Sequence, residues 1–559
     1  MTAALTDETL DGTVPAVTAW HSLTDGVELS PGALTPEARE ILTDDAVALL
    51  ADLHRRFDGR RRELLAQRVE RQARWDAGEL PGYLDRGSKA RTGDWTVADV
   101  PADLRRRRVE ITGPVNEAKM VIKMLSRNDM GDRADTAMLD FEDSMKPTWV
   151  NVVDGVRNVA AAARLELTYV KPGKNGGPDK HYALDADDRA KLMVRVRGLH
   201  LDESNLRVDG TPISGGLLDF VLCMVHAAAA QVARGETPKF YVPKCEHYLE
   251  ARWWNDIFVA TQEALGLERG TLRATFLMET LPAAFQMEEI LYEIREHAAG
   301  LNVGRWDKIF SDIKALKTHP DRVMADRASI SMNRPWMRNY AMRLIKICHR
   351  RGAWAIGGMA AFTPGRTPEL RQHQTSKVLE DKKLEASMGH DGCWVSHPYF
   401  IGPALSAFPR DEQTDVLHDD FELDPDLLPV ATPPRTLGGL RTNVRVGIGY
   451  LEGWRRGIGC VAWDDLMEDL ATLEISRAQT WQWLHHGVEL DDGTTVDEAL
   501  VRRVFDEELT KIEREITDDL GAARAEPLVP AFRAARREAE GIFLEEEFRP
   551  FLAVRSELA

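Results

Sequence analysis

The apolar positions along the chain fall into two alternating patterns. Short, near-continuous apolar runs occur at RVEITGP (from residue 108), TAMLDFED (136), LMVRVRG (192), KFYVPK (239), ATFLMET (274), GLNVGRW (300), AWAIGGM (353) and GCWVSHP (392). Between most of them lie longer stretches with a helical apolar period, such as LLDFVLCMVHAAAAQVARG and LPAAFQMEEILYEIREHAAG. Unbroken apolar runs suit strands buried on both faces, and the longer period suits the helices that cover them. Eight strands alternating with helices predict a parallel sheet of the α/β class, and eight is the number that closes into a TIM (β/α)8 barrel. An open doubly wound sheet is the alternative.

The flanks follow other patterns. Over residues 36–78, Ile41, Ala46, Leu49, Leu50 and Leu53 recur at helical spacing ahead of FDGRRRELLAQRVERQARWD. This predicts a pair of amphipathic helices outside the sheet, with the basic run Arg60 to Arg62 on a solvated face. Near residues 415–435 the chain turns into DVLHDDFELDPDLLPVATPP, whose Asp and Pro content predicts a linker. Beyond it, LMEDLATLEISRAQTWQWLHHG, VDEALVRRVFDEELTKIEREI and PAFRAARREAEGIFLEEEF read as helices, with no strand among them. The expected domains are a helical N-terminal region (1–105), the barrel (106–415), the linker (416–436) and an all-helical C-terminal domain (437–559).

Composition narrows the partners. A formal charge of −18 disfavours nucleic acid and anionic membranes, which are met by basic surfaces, but leaves room for a small anion held by a local cation. The five cysteines show no CxxC spacing, which suits a reducing compartment better than a disulfide scaffold or zinc knuckle. MTAALTDETLDGTVPAV lacks the basic start and apolar run of a signal peptide, SELA is not a peroxisomal address, and no stretch reads as a membrane span. A soluble, cytoplasmic protein is expected.

Several strand runs end on polar residues: Glu142 and Asp143, Arg195, Lys244, Glu279, Asp307 and His397. In a barrel these share the C-terminal rim, where active sites sit. Glu279 and Asp307, on neighbouring strands without a Cys or His cluster, have the oxygen chemistry of a Mg²⁺ site. Gly304 permits close backbone approach, leaving the N–H groups of Trp306 and Asp307 free to hold a small carboxylate. GGMAAFTPG, at 357–365, reads as a tight strand-to-helix turn in preference to an anion-binding loop, and His390, Asp391, Cys393 and His397 match no metal spacing.

The stretch HAAGLNVGRWDKIF resembles the signature of the malate synthase family in its shorter A-type form, with Lys308 where that form usually has Tyr. RRVEITGPVNEAKMVIKML, LDFEDSMKPTW, VRVRGLHLDE, ATFLMETLPAAFQMEEIL, RGAWAIGGMAAF and LMEDLATLEISRAQTWQWLHH resemble it too, in family order, so the likeness spans about residues 35–540. The resemblance implies a TIM barrel with an N-terminal helical clasp and a C-terminal helical plug. It implies condensation of acetyl-CoA with glyoxylate and hydrolysis of malyl-CoA, giving malate and CoA, in a monomer or small homo-oligomer. Carried over by motif, Glu279 and Asp307 correspond to Mg²⁺ ligands, Asp140 and Glu142 to supporting acids, Arg195 to the enolate-stabilising arginine and Asp469 to the catalytic base. By position alone Asp469, with Asp464, Asp465 and Glu468 ahead of an apolar helix, reads as an ordinary helix-start acid, and Cys460 upstream as a buried thiol. The competing readings are a Mg²⁺-dependent acyl-CoA lyase on a related barrel and a non-catalytic scaffold.

Overall fold

A computed structural model describes residues 19–173 and 177–552. The terminal stretches MTAALTDETLDGTVPAV and SELA lie outside these described residues. The eight apolar runs form β1 (Val109–Pro114), β2 (Thr136–Asp140), β3 (Lys191–Arg195), β4 (Lys239–Val242), β5 (Arg273–Leu277), β6 (Ala298–Asn302), β7 (Trp354–Ala360) and β8 (Gly392–Val395). Each pairs in parallel with its neighbour, and β8 closes on β1 with Cys393 opposite Val109. The sheet is therefore a closed barrel, not an open doubly wound one. Met138, Met193, Tyr241, Leu277, Ala299, Ile356 and Trp394 fill the barrel, and a larger apolar cluster between strands and helices surrounds it. Burial on both faces explains why the strands are mostly apolar, and charged residues within them have partners, as Arg195 has in Asp140.

Several sequence expectations need correction. The N-terminal helical stretch is a pair of helices outside the sheet, as expected, but a very unequal one: six residues (Pro36–Ile41) and then one unbroken helix of 33 residues (Asp44–Asp76). An internal glycine costs a helix only about 1 kcal/mol, and at Gly59 this is offset by buried residues on either side of it, among them Leu53, Arg61 and Leu64. Arg61 is not solvated: it is 2% exposed and donates to the carbonyls of Leu199 (2.7 Å) and Leu201 (3.2 Å) and to Asp202 (2.6 Å). The helix Gly215–Ala233, with mean hydropathy 1.6, is long and apolar enough to cross a membrane by length and composition, although no such stretch was expected. It is 67% buried against the helices Trp149–Arg164 and Asp44–Asp76, so its apolarity is that of a core helix.

Strands also occur where none were predicted. His21–Thr24, Val27–Leu29, Asp202–Val208 and Thr211–Ser214 form an antiparallel sheet, and Thr168–Lys171 pairs with Lys180–Ala183. The C-terminal region has helices Leu437–Arg455, Leu470–His485, Glu498–Leu520 and Val529–Phe543 around a core that includes Ile448, Trp483 and Phe505. It also carries a short hairpin, Val461–Trp463 with Leu466–Glu468, so it is not all-helical. The segment before it is irregular, as expected of a linker, but pinned to the barrel. Lys346 donates to the carbonyls of His418 (2.8 Å) and Phe421 (2.7 Å), and Arg322 to that of Pro429 (2.8 Å).

Candidate active site

The C-terminal rim begins with the facing ends of β2 and β3, where register sets Asp140 beside Arg195. Arg195 grips Asp140 with Nε and Nη2, each at 2.6 Å. Asp140 also accepts the Glu142 N–H (3.0 Å), the Ser144 N–H (2.9 Å) and the Ser144 hydroxyl (2.6 Å). Burial opposes its charge, but Arg195 and these hydrogen bonds prevail and hold the carboxyl below its ordinary range. Two of the three guanidinium nitrogens are committed, leaving Nη1 at 3.4 Å from Glu142 and 3.7 Å from Asp143.

Lys244, two residues past β4, is the hub of the rim, a role the sequence did not reveal. Its backbone is in the left-handed region (φ 53°), a conformation costing a non-glycine residue about 1–3 kcal/mol that persists where the surroundings impose it. Its N–H donates to Glu279 Oε1 (2.8 Å), and its ammonium lies 2.6 Å from Asp143, 2.7 Å from Glu142 and 3.3 Å from Asp307. Asp307 is not on a strand end, as the sequence suggested, but in the first turn of the helix Arg305–Ala315. Gly304 caps that helix, and the first intrahelical bond runs from Lys308 N–H to Gly304 O (3.0 Å). The N–H groups of Arg305, Trp306 and Asp307 therefore have no acceptor within the helix. A Cβ on Gly304 would stand 2.6 Å from Glu279 Cβ, so glycine is what lets this turn approach Glu279.

Six carboxylates, of Asp140, Glu142, Asp143, Glu279, Asp307 and Asp469, share this region with two cations, Arg195 and Lys244. Glu279 Oε2 and Asp143 Oδ1 are buried with neither a hydrogen-bond nor an ion-pair partner, and the buried oxygens of Glu142 and Asp307 Oδ1 have only their ion pairs with Lys244 and Arg195. Burial first, and the neighbouring carboxylates after it, push the Glu279 carboxyl up and those of Asp307 and Glu142 well up. An all-oxygen donor set short of positive charge fits a hard divalent cation. Among the described residues, however, no three such side chains already converge as ligands on one point. The Lys244 ammonium stands among them.

Asp469 arrives from the C-terminal domain. The hairpin before it docks past β7, with Met467 N–H on Ala361 O (2.7 Å) and Thr363 N–H on Asp465 O (3.0 Å), and Leu470 N–H then reaches Asp143 O (3.2 Å). Asp469 is the N-cap of the helix Leu470–His485 and accepts the Thr472 N–H (3.3 Å), so the helix-start reading is structurally true. It also lines the barrel cavity, and burial followed by Asp143 pushes its carboxyl up to about 7.

One cavity of about 580 Å³ is lined by Arg195, Glu279, Gly304, Trp306, Asp307 and Asp469, and also by Lys119, Lys123, Arg127, Met120 and Met124. The sequence reading missed the second group. Its signal was the i, i+4 pair Lys119 and Lys123 on one face of the helix Ala118–Leu125. His397 and Cys460 line the same cavity, and burial pushes the Cys460 thiol up to about 12. Asp391 is elsewhere, paired with His349 at 3.0 Å and accepting the Ala355 N–H (2.7 Å). Gly357 and Gly358 lie within β7, not in a turn; a Cβ on Gly357 would meet Glu385 Oε2 at 2.7 Å.

Fold and site together define a (β/α)8-barrel protein whose mouth is completed by a carboxylate from a separate C-terminal domain. Family models match the chain as malate synthase N-terminal domain (31–86), malate synthase TIM barrel domain (191–422) and malate synthase C-terminal domain (434–557). The Myxococcus xanthus malate synthase is 47% identical over 502 residues, covering 89% of this chain and 91% of that one. The Escherichia coli malate synthase A is 43% identical over 490 residues, covering 86% and 90%. The chain belongs to the malate synthase family. A magnesium/glyoxylate complex of Haloferax volcanii malate synthase is a distant structural likeness, with 14% identity, TM-score 0.41, and coverage of 76% of this chain and 98% of that one.

Proposed function

We propose that the cavity condenses the acetyl group of acetyl-CoA with glyoxylate and hydrolyses the resulting malyl-CoA to malate and free CoA. The observation that carries this reading is a convergence: Arg195 and Asp469, from two parts of the chain, line one cavity with Glu279, which has a buried, partnerless oxygen, and Asp307, whose buried Oδ1 has only the Lys244 ammonium at 3.3 Å. Asp469 removes a methyl proton from the acetyl group, and a carboxyl raised to about 7 is well matched to that task near neutral pH. Arg195, held rigid by its two bonds to Asp140, presents Nη1 to the enolate oxygen that develops. The free N–H groups of Trp306 and Asp307 hold the glyoxylate carboxylate at a helix N-terminus. Glu279 and Asp307 would hold Mg²⁺, with Asp140 and Glu142 supporting them; bound there, it supplies Lewis-acid polarisation of the aldehyde. The enolate carbon bonds to the aldehyde carbon, the oxygen takes a proton, and water then displaces CoA from the thioester.

Lys119, Lys123 and Arg127, interleaved with Met120 and Met124, suit the phosphates and apolar arm of acetyl-CoA. In this reading the described residues of 1–105 form a clasp and those of 437–559 a plug that delivers the base. The protein works as a monomer or small homo-oligomer in the cytoplasm, a setting its five free cysteines support. The test is release of free CoA thiol from acetyl-CoA with glyoxylate and Mg²⁺. Thiol release that needs both substrates is expected. Its absence, with cleavage of malyl-CoA to acetyl-CoA instead, would make the protein a lyase.

A further inference from the structure

Asp469 is carried by a different domain from Arg195, Glu279 and Asp307, so the catalytic distances depend on a seam between two bodies. At that seam the helix Leu470–His485 packs against Arg305–Ala315, the helix that bears Asp307. Residues 545–552 run along the seam and bond to both sides. Toward the base helix, Leu552 N–H donates to Glu474 (2.6 Å), Arg477 to the Arg549 carbonyl (2.8 Å), and His485 Nε2 meets the Glu546 carbonyl (2.9 Å). Toward the barrel, Phe551 stacks on His200 (4.2 Å) and contacts Phe310 (5.7 Å), with the Lys314 ammonium over its ring (4.1 Å). Phe548 bridges the two bodies, between Phe310 at 6.5 Å and Trp481 at 5.1 Å. Phe551 and Leu552 also wall a cavity of only about 20 Å³ whose other lining includes Glu142, Asp143 and Lys244.

We propose that segment 545–552 is a strap that holds the base in register with the barrel, and that Phe551 is a positioning residue for Asp469. The inference rests on Asp469 being the base. A displacement of about 1 Å in a reacting group can cost roughly 10²-fold in rate, so a ring filling this seam controls turnover without touching substrate.

Phe551→Ala should lower kcat and the exchange of acetyl methyl protons with solvent deuterium together, by roughly 10–100-fold. Mg²⁺-dependent glyoxylate binding, measured by calorimetry, should stay at the wild-type level, because its residues all belong to the barrel. Phe551→Tyr keeps the ring and should restore kcat, and Arg537→Ala, at an exposed position outside the strap, should leave it unchanged. Should Phe551→Ala fail to fold, Phe548→Leu is the smaller lesion, with the same expected split between kcat and glyoxylate affinity. Wild-type kcat in the folded truncation variant, or glyoxylate affinity falling in step with kcat, would overturn the strap. Asp469→Asn separates the two ideas: retained proton exchange there refutes the base itself, whereas lost exchange there with normal Phe551→Ala turnover refutes only the strap.

Discussion

Asp469→Asn is the substitution from which most follows. Asparagine is as good an N-cap as aspartate, and its amide oxygen can accept the Thr472 N–H that Asp469 Oδ1 accepts at 3.3 Å. The Thr472 hydroxyl on the residue-469 N–H (2.9 Å) is untouched, so the helix start should survive. The charge, however, is costly. Burial and Asp143 raise this carboxyl from 3.8 to about 7, and each unit is worth about 1.4 kcal/mol, giving a penalty on the order of 4 kcal/mol. A folded-state value raised above the unfolded one means the penalty is absent below pH 3.8 and grows to its full size above pH 7. The Asn variant should therefore melt no lower than wild type at pH 8, and higher if no cation offsets the penalty. Its turnover should fall by about 10²–10⁴, the usual contribution of a general base. The assay is loss of acetyl methyl-proton exchange into deuterated solvent beside CoA thiol release, with Mg²⁺-dependent glyoxylate binding as the control. A folded Asn variant with near wild-type turnover would reduce Asp469 to a helix cap.

Glu279→Gln and Asp307→Asn should each weaken Mg²⁺-dependent glyoxylate binding by calorimetry, because each removes a charge from a site with few ligands; unchanged affinity in both would remove the metal assignment. Arg195→Lys should be poorly active despite its charge, since one ammonium cannot both grip Asp140 through two nitrogens and present a third donor; near-normal kcat would make Arg195 a rim residue only. Gly304→Ala should weaken Mg²⁺ binding as well, because the added methyl meets Glu279 Cβ at 2.6 Å and Oε2 at 2.9 Å. A Gly304→Ala protein that binds Mg²⁺ and glyoxylate normally would show that Glu279 has room to move.

Much of the barrel was written in local pattern. Eight apolar runs became eight strands because a strand buried on both faces has no polar side to interrupt it. The polar residues that end them mark the rim for the same reason: the core stops there. The 33-residue helix runs straight through Asp58–Gly59 because burial of its face against residues far away in sequence outweighs one internal glycine. Arg61 illustrates this, since its acceptors Leu199 and Leu201 lie well over a hundred positions on. The site divides in the same way. Glu279, Gly304 and Asp307 were legible because they follow adjacent strands, whereas Asp469 has the local signature of a helix cap and is one. Lys244 reads as the end of a strand, and only the closed barrel brings Glu142, Asp143, Glu279 and Asp307 around it. Sequence determined which segments are buried and where each leaves the core, because burial follows from side-chain chemistry and period. Tertiary structure alone decided which charges meet, because attraction and desolvation act across space between residues that the chain order keeps apart.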